Sequence, residues 1–132
     1  MSAVDDQSAV ADRSRLPGCM GDVIMRRFTV SVGSGTIVGD AVGDGPAVVL
    51  LHGFSLDRRM WSYQVGPLSE RFRVIAYDLR GFGESSPAEP SHSHLDDLIA
   101  VLDALHVERA HLVGLSLGAN VVLAAAVQCP ER

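Results

Sequence analysis

The segment Gly114-Leu115-Ser116-Leu117-Gly118 constrains this chain more than any other, because it joins two stretches of different periodicity. Residues 110–113 read as a short strand, and residues 117–128 read as a helix that Cys129-Pro130 brings to an end. A strand that turns into a helix within a residue strains the backbone at the turn, and flanking glycines remove the side chains that would collide there. A serine at that point presents its hydroxyl at the rim of a sheet. The first turn of the following helix adds unpaired N–H groups and the positive end of a helix dipole, both of which favour a negative oxygen. Ser116 is therefore the candidate nucleophile, and the N–H of Leu117 is a candidate oxyanion donor. The bland alternative, that Gly and Ser only cap a helix, fits the same residues, but the strand before and the helix after favour the nucleophile.

The order of elements upstream fits such a rim. Phe28, Val30 and Val32 alternate on one face, Gly33-Ser34-Gly35 makes a turn, and residues 36–42 form a second, weaker strand, which gives a hairpin at a sheet edge. Residues 47–51, Ala-Val-Val-Leu-Leu, are apolar throughout, as a strand buried on both faces must be. Strand-like runs recur at residues 73–77 and 110–113, with helical material between them. The fold class is accordingly α/β: a mainly parallel sheet of about five strands with flanking helices and right-handed crossovers. Leu95, Leu98, Ile99, Leu102 and Leu105 lie at helical spacing after Ser93, which with Asp96 resembles a capping arrangement. A helix between Met60 and Glu70 must hold Pro67 in its first turn or break there. Residues 1–23, rich in Ser, Asp and Ala with a Pro17-Gly18 breaker, read as a flexible leader, which leaves residues 24–132 as the domain.

Composition sets the remaining bounds. With 132 residues, 47% hydrophobic and 20% charged, the chain has material for one core. A net charge of −5 offers no attraction to nucleic acid or to an anionic membrane, and Arg26-Arg27 and Arg58-Arg59 are short enough to be solvated faces. The longest apolar run, residues 121–127, is far below the ~20 residues that span a bilayer. Cys19 and Cys129 lie far apart with no secretory signature, so both are expected to be free thiols in a cytoplasmic protein. No pattern calls for a metal or a cofactor. Arg80-Gly81-Phe82-Gly83-Glu84-Ser85 lacks the G-x-G-x-x-G spacing of a phosphate loop and reads as a turn.

Four stretches in order carry a family likeness: residues 48–54 (Val-Val-Leu-Leu-His-Gly-Phe), Met60-Trp61, residues 74–85 from Val74 through Asp78 to Ser85, and residues 111–118 around Ser116. In these the chain resembles the α/β-hydrolase superfamily from about Phe28 to Arg132, as the N-terminal portion of that fold. The resemblance implies a hydrolase of ester, lactone or related acyl bonds that works through a Ser116 acyl-enzyme, with the backbone N–H of Phe54 as the second oxyanion donor beside that of Leu117. Members that use an aspartate nucleophile, such as epoxide hydrolases and haloalkane dehalogenases, would need Asp where Ser116 stands.

In this fold the nucleophile is followed by an acid and then a histidine. Residues 117–132 contain no histidine and no acid except Glu131. The expectation is a chain truncated before its triad acid and base, weakly active or inactive alone; the alternative is an inactive homologue serving as a binding or assembly module. His111 stands five residues before Ser116 along a strand, about 16 Å at ~3.3 Å per residue, out of hydrogen-bond reach. His106 is farther along the chain, and His92 and His94 are expected to be exposed in the loop after the fourth strand. His52 ends the neighbouring strand and is the nearest imidazole, in a position that orders the oxyanion loop in the family. The outer edge of the last strand lacks a partner, so the chain is expected to fold poorly alone or to pair with a second copy or a complementing fragment. The expected ligand is a small-molecule acyl substrate.

Overall fold

The alternating apolar residues at the start of the domain form a hairpin. In the computed structural model, which describes residues 24–132, β1 (Arg26–Val32) runs antiparallel to β2 (Gly35–Val42), with Val32 opposite Gly35. The leader expected over residues 1–23, with Cys19, lies outside the described residues. The continuous apolar run becomes β3 (Ala47–Leu51), in which every residue is buried. The two later runs become β4 (Arg73–Tyr77) and β5 (Ala110–Gly114).

The five strands form one sheet in the order β1-β2-β4-β3-β5. β3 is parallel to both of its neighbours, and the hairpin joins the sheet through an antiparallel pairing of β2 with β4. The parallel part therefore holds the centre, and the hairpin closes one side.

Alternate residues of the central strands point to opposite faces. Val49, Leu51, Ile75 and Tyr77 pack beneath α2 (His94–Ala104) and α3 (Leu117–Gln128), with Leu98, Val101, Leu102 and Val121. Val48, Leu50, Val74 and Ala76 pack on the other face against Val65 of α1 (Ser62–Ser69) and Trp61 of the preceding 3-10 turn, Arg58–Trp61. This two-sided burial is why β3 and β4 carry no polar residue inside their apolar runs.

Two helix details sharpen the sequence reading. The Ser93 hydroxyl accepts from the Asp96 N–H at 3.2 Å, so the cap of α2 forms where the pattern placed it. Pro67 neither begins nor breaks α1 but sits near its end. The helix has only eight residues, so the one backbone donor that proline lacks is lost a turn before the chain leaves for β4.

Candidate active site

The turn from β5 into α3 is as tight as its sequence requires. Ser116 has φ 51° and ψ −109°, a backbone conformation that costs on the order of 1–3 kcal/mol for a residue with a side chain. A Cβ at Gly118 would overlap the carbonyl oxygen of Leu51, and one at Gly114 would overlap the backbone of Gly118. Both glycines are thus demanded by close approach of backbone to backbone. The Leu115 N–H continues the β3–β5 ladder onto the Leu51 carbonyl at 3.1 Å, and the Asn120 N–H donates to the Ser116 carbonyl at 3.1 Å. Ser116 is exposed, and Leu117, as first residue of α3, has no helical carbonyl for its N–H.

Leu51 pairs with Gly114, so the loops that leave β3 and β5 emerge side by side. A Cβ at Gly53 would stand 3.4 Å from the Leu115 carbonyl oxygen, which makes the two loops direct neighbours. The structure thereby brings Phe54 to the same rim as Ser116 and Leu117. The Phe54 ring is largely exposed and meets Phe82 edge to face at 5.5 Å. With Leu56 and Leu115 it leaves apolar side chains open to solvent on these two loops.

His52 is fully buried with both ring nitrogens occupied. Its Nε2 accepts from the Leu79 N–H at 2.9 Å, which leaves Nδ1 to donate to the Gly53 carbonyl at 2.8 Å. A ring so engaged pins the β3 loop to the β4 loop and has no lone pair to offer a serine hydroxyl.

A second pin lies four residues past Phe54, and the sequence concealed it. Arg58 is not on a solvated face: its side chain is only 12% exposed and reaches Asp40 at 2.6 Å, Asp78 at 2.5 Å and Glu84 at 2.6 Å. Asp78, wholly buried, also accepts from the Arg58 N–H at 2.8 Å and the Glu84 N–H at 2.9 Å. Burial is the largest single influence and works to lower the Arg58 pKa, but the hydrogen bonds to Asp40 and Glu84 together outweigh it and leave the pKa raised. Arg59 does match the solvated reading, its side chain being 86% exposed beside Asp57. The partners of Arg58 lie 18 to 26 residues away in sequence, so no local pattern announces them. The signal available was a carboxylate, Asp78, directly after the buried strand β4, a position that requires a cation nearby.

The other histidines stand apart from Ser116. His111 is the second residue of β5, opposite Val48, with its ring edge to face with Phe72 at 6.0 Å, and His106 lies in the turn before the strand with φ 56°. His92 and His94 follow β4, and β3 separates β4 from β5. These two are half-buried rather than exposed as expected, because the rings pack on each other. Burial, with a smaller effect from His92, lowers the His94 pKa. Among the described residues no group of three or more His, Cys, Asp or Glu could hold a metal ion, and no helix is long and apolar enough to cross a membrane.

The sequence model of one family, described as the alpha/beta hydrolase fold, matches residues 46–132. Among curated proteins, the chain is 37% identical to 3-oxoadipate enol-lactonase 1 of Acinetobacter baylyi over 82 residues, 61% of this chain and 31% of the relative. It is 40% identical to the pimeloyl-[acyl-carrier protein] methyl ester esterase of Aeromonas hydrophila over 90 residues, 68% of this chain and 35% of the relative. Among solved structures, an epoxide hydrolase of Vigna radiata superposes with a TM-score of 0.76 at 32% identity, over 81% of this chain and 37% of that one. The chain thus spans about a third of the length of each of these proteins.

Proposed function

The chain belongs to the α/β-hydrolase fold family, and on that footing we propose that it carries the nucleophile and oxyanion-binding part of a serine hydrolase acting on ester, lactone or related acyl bonds. The observation that carries the proposal is the backbone of Ser116, a non-glycine residue at φ 51° between two glycines that admit no side chain. Strain of this kind persists only where the surroundings enforce it, and here it puts a hydroxyl at the start of a helix.

In the proposed reaction the Ser116 Oγ attacks the acyl carbonyl carbon while a general base takes its proton. The carbonyl π electrons move to oxygen, and the N–H groups of Phe54 and Leu117 donate to that oxyanion. Collapse expels the alcohol or enol oxygen, which regains the proton, and leaves an acyl-serine. Water, deprotonated by the same base, then releases the acid and restores the hydroxyl. The exposed apolar side chains of Phe54, Leu56 and Leu115 favour an acyl group that is itself apolar. The likeness to a lactonase and a methyl ester esterase supports the acyl-bond class. The likeness to an epoxide hydrolase does not transfer its chemistry, because residue 116 is a serine.

The base must come from outside these 132 residues, since His52 is engaged at both nitrogens and the other four histidines stand elsewhere. That same fact favours a second reading, a homologue without turnover that serves as a binding or assembly module. Hydrolysis of p-nitrophenyl butyrate separates the two. A version continued through an acid and a histidine should release nitrophenolate in a burst that Ser116→Ala abolishes. Equal rates with and without Ser116 would refute the hydrolase reading. A cytoplasmic location and a small-molecule acyl partner belong to the same proposal.

A further inference from the structure

The five residues between His52 and Arg58 carry Phe54, whose N–H meets no backbone carbonyl among the described residues. They contain a turn in which the Leu56 N–H donates to the Gly53 carbonyl at 3.1 Å, with Ser55 at φ 64°. A positive φ at the third residue of such a turn is the pattern of type II, in which glycine is the usual occupant. For a serine it costs on the order of 1–3 kcal/mol, and it persists only where the surroundings over-determine the chain. Left to itself, the turn relaxes toward type I by rotating the peptide between Phe54 and Ser55 by roughly 150–170°.

The hold on this loop comes from the turn after β4, residues 78–85. At one end the Leu79 N–H donates to His52 at 2.9 Å. In the middle the Phe82 ring meets the rings of His52 and Phe54 edge to face, at 5.4 and 5.5 Å. At the other end Asp78 takes Arg58 twice, through its backbone N–H at 2.8 Å and its guanidinium at 2.5 Å. Asp78 is itself fixed: its own N–H donates to the Val38 carbonyl at 2.9 Å, and a Cβ at Gly83 would overlap its carboxylate. Asp40 and Glu84 take Nε and the second terminal nitrogen of the guanidinium, so the fork cannot turn.

For stability alone this is a costly arrangement, because apolar groups of like volume often replace a buried ion group without loss. For position it is apt, since a planar fork bonded along three sides admits one place for the main chain that carries it. From this geometry we infer that Arg58 is a positioning residue: its two-point hold on Asp78 keeps the strained Gly53–Leu56 turn, and with it the Phe54 N–H, where acyl transfer needs a donor. The inference rests on the roles proposed above for Ser116 and Phe54. A donor fixed before charge develops stabilises the oxyanion without reorganisation, and a misplacement of ~1 Å costs on the order of 100-fold in rate. The effect of Arg58 therefore falls on kcat and spares KM.

The test pairs a rate with a local probe. In the version continued through an acid and a histidine, Arg58→Gln should lower kcat for p-nitrophenyl butyrate roughly 10- to 100-fold, with KM changed less than about twofold. Arg58→Lys, which keeps the charge without the fork, should fall between. Ser93→Ala, which loses the cap of α2, should keep its kcat, so that a mere loss of stability is told apart. In the 132-residue chain and the continued version alike, both Arg58 variants should shift the amide resonances of Phe54 and Ser55 and leave that of Ala125 in α3 in place. Unmoved Phe54 and Ser55 amides would overturn the inference, as would an unchanged kcat or a loss confined to KM. Should Arg58→Gln not fold, Arg58→Lys carries both readouts. An unaltered continued version without Ser116-dependent hydrolysis would instead refute the role of Ser116, and the amide shifts would still decide whether Arg58 holds the loop.

Discussion

Ser116 owes its place to two neighbours without side chains, and the crowding around them can be measured. At Gly118 an added methyl would press on the Leu51 carbonyl and stand 2.8 Å from that of His52, both backbone atoms of a buried strand end that cannot turn aside. Gly118→Ala should therefore cost about 3 kcal/mol in urea unfolding, at the upper end of overpacking penalties. Ser116 and its glycines were legible from sequence because their demand is local: strand, turn and helix adjoin in the chain. Arg58 was not, since its meaning depends on Asp40, Asp78 and Glu84 arriving from three other segments. Asp78→Asn removes one of the three carboxylates around that largely buried guanidinium while keeping the side-chain shape. It should lower stability by about 2 kcal/mol, the scale of a hydrogen bond to a charged group, since Asp40 and Glu84 remain. His52 was placed correctly as the residue that orders its loop. Which atoms occupy its two nitrogens became readable only with β4 beside β3.

At the scale of elements, periodicity and caps carried most of the information. α3 spans Leu117–Gln128 as its apolar run and the Cys129-Pro130 stop require, and α2 begins at the Ser93 cap. Ser93→Ala should cost about 1 kcal/mol by thermal denaturation, the usual worth of an N-cap. α1 was harder to read, because a proline late in a helix of eight residues costs little and leaves a weak pattern. Acid should act first where carboxylates tie the loops. Asp57 caps the turn before α1, and its hydrogen bond with Arg59 holds its pKa at about 2, while Arg27, and then Arg58, hold Glu84 below the ordinary carboxylate range. Both groups bind protons more readily when unfolded, so their contribution is complete above pH ~4–4.5 and is lost as pH falls through that window toward 2. Urea titrations between pH 6 and 3 should show stability falling with pH, and Asp57→Asn with Glu84→Gln should flatten the slope. A slope unchanged in that double variant would exclude these two groups as its source.

The whole molecule is one sheet whose two outer strands have different surroundings. β1 at one side is half of a hairpin braced by loop contacts such as Arg27–Glu84, whereas β5 at the other has no partner on its far side among the described residues. On α3, which packs next to β5, Leu123 is 64% and Val127 80% exposed, four residues apart and so on one side of the helix. The 132-residue chain alone should therefore associate with itself in sedimentation at rising concentration, and Leu123→Lys with Val127→Lys should reverse this. A monomer at every concentration would contradict it. The mainly parallel sheet and the hairpin at its edge were legible because strands alternating with helices permit few arrangements, whereas the place of β3 between β4 and β5 came with the family likeness. The pairing of His92 with His94 was not, because spacing of two residues in a loop says nothing about which way two rings turn.

The central claim, that this fold holds Ser116 as an activatable nucleophile, is tested most directly by a fluorophosphonate probe with the modified residue located by mass spectrometry. The version continued through an acid and a histidine should be labelled at Ser116 and lose the label in Ser116→Ala, while the 132-residue chain alone should label weakly or not at all. Absence of label at Ser116 in a folded, continued version, or label that survives Ser116→Ala, would contradict the account.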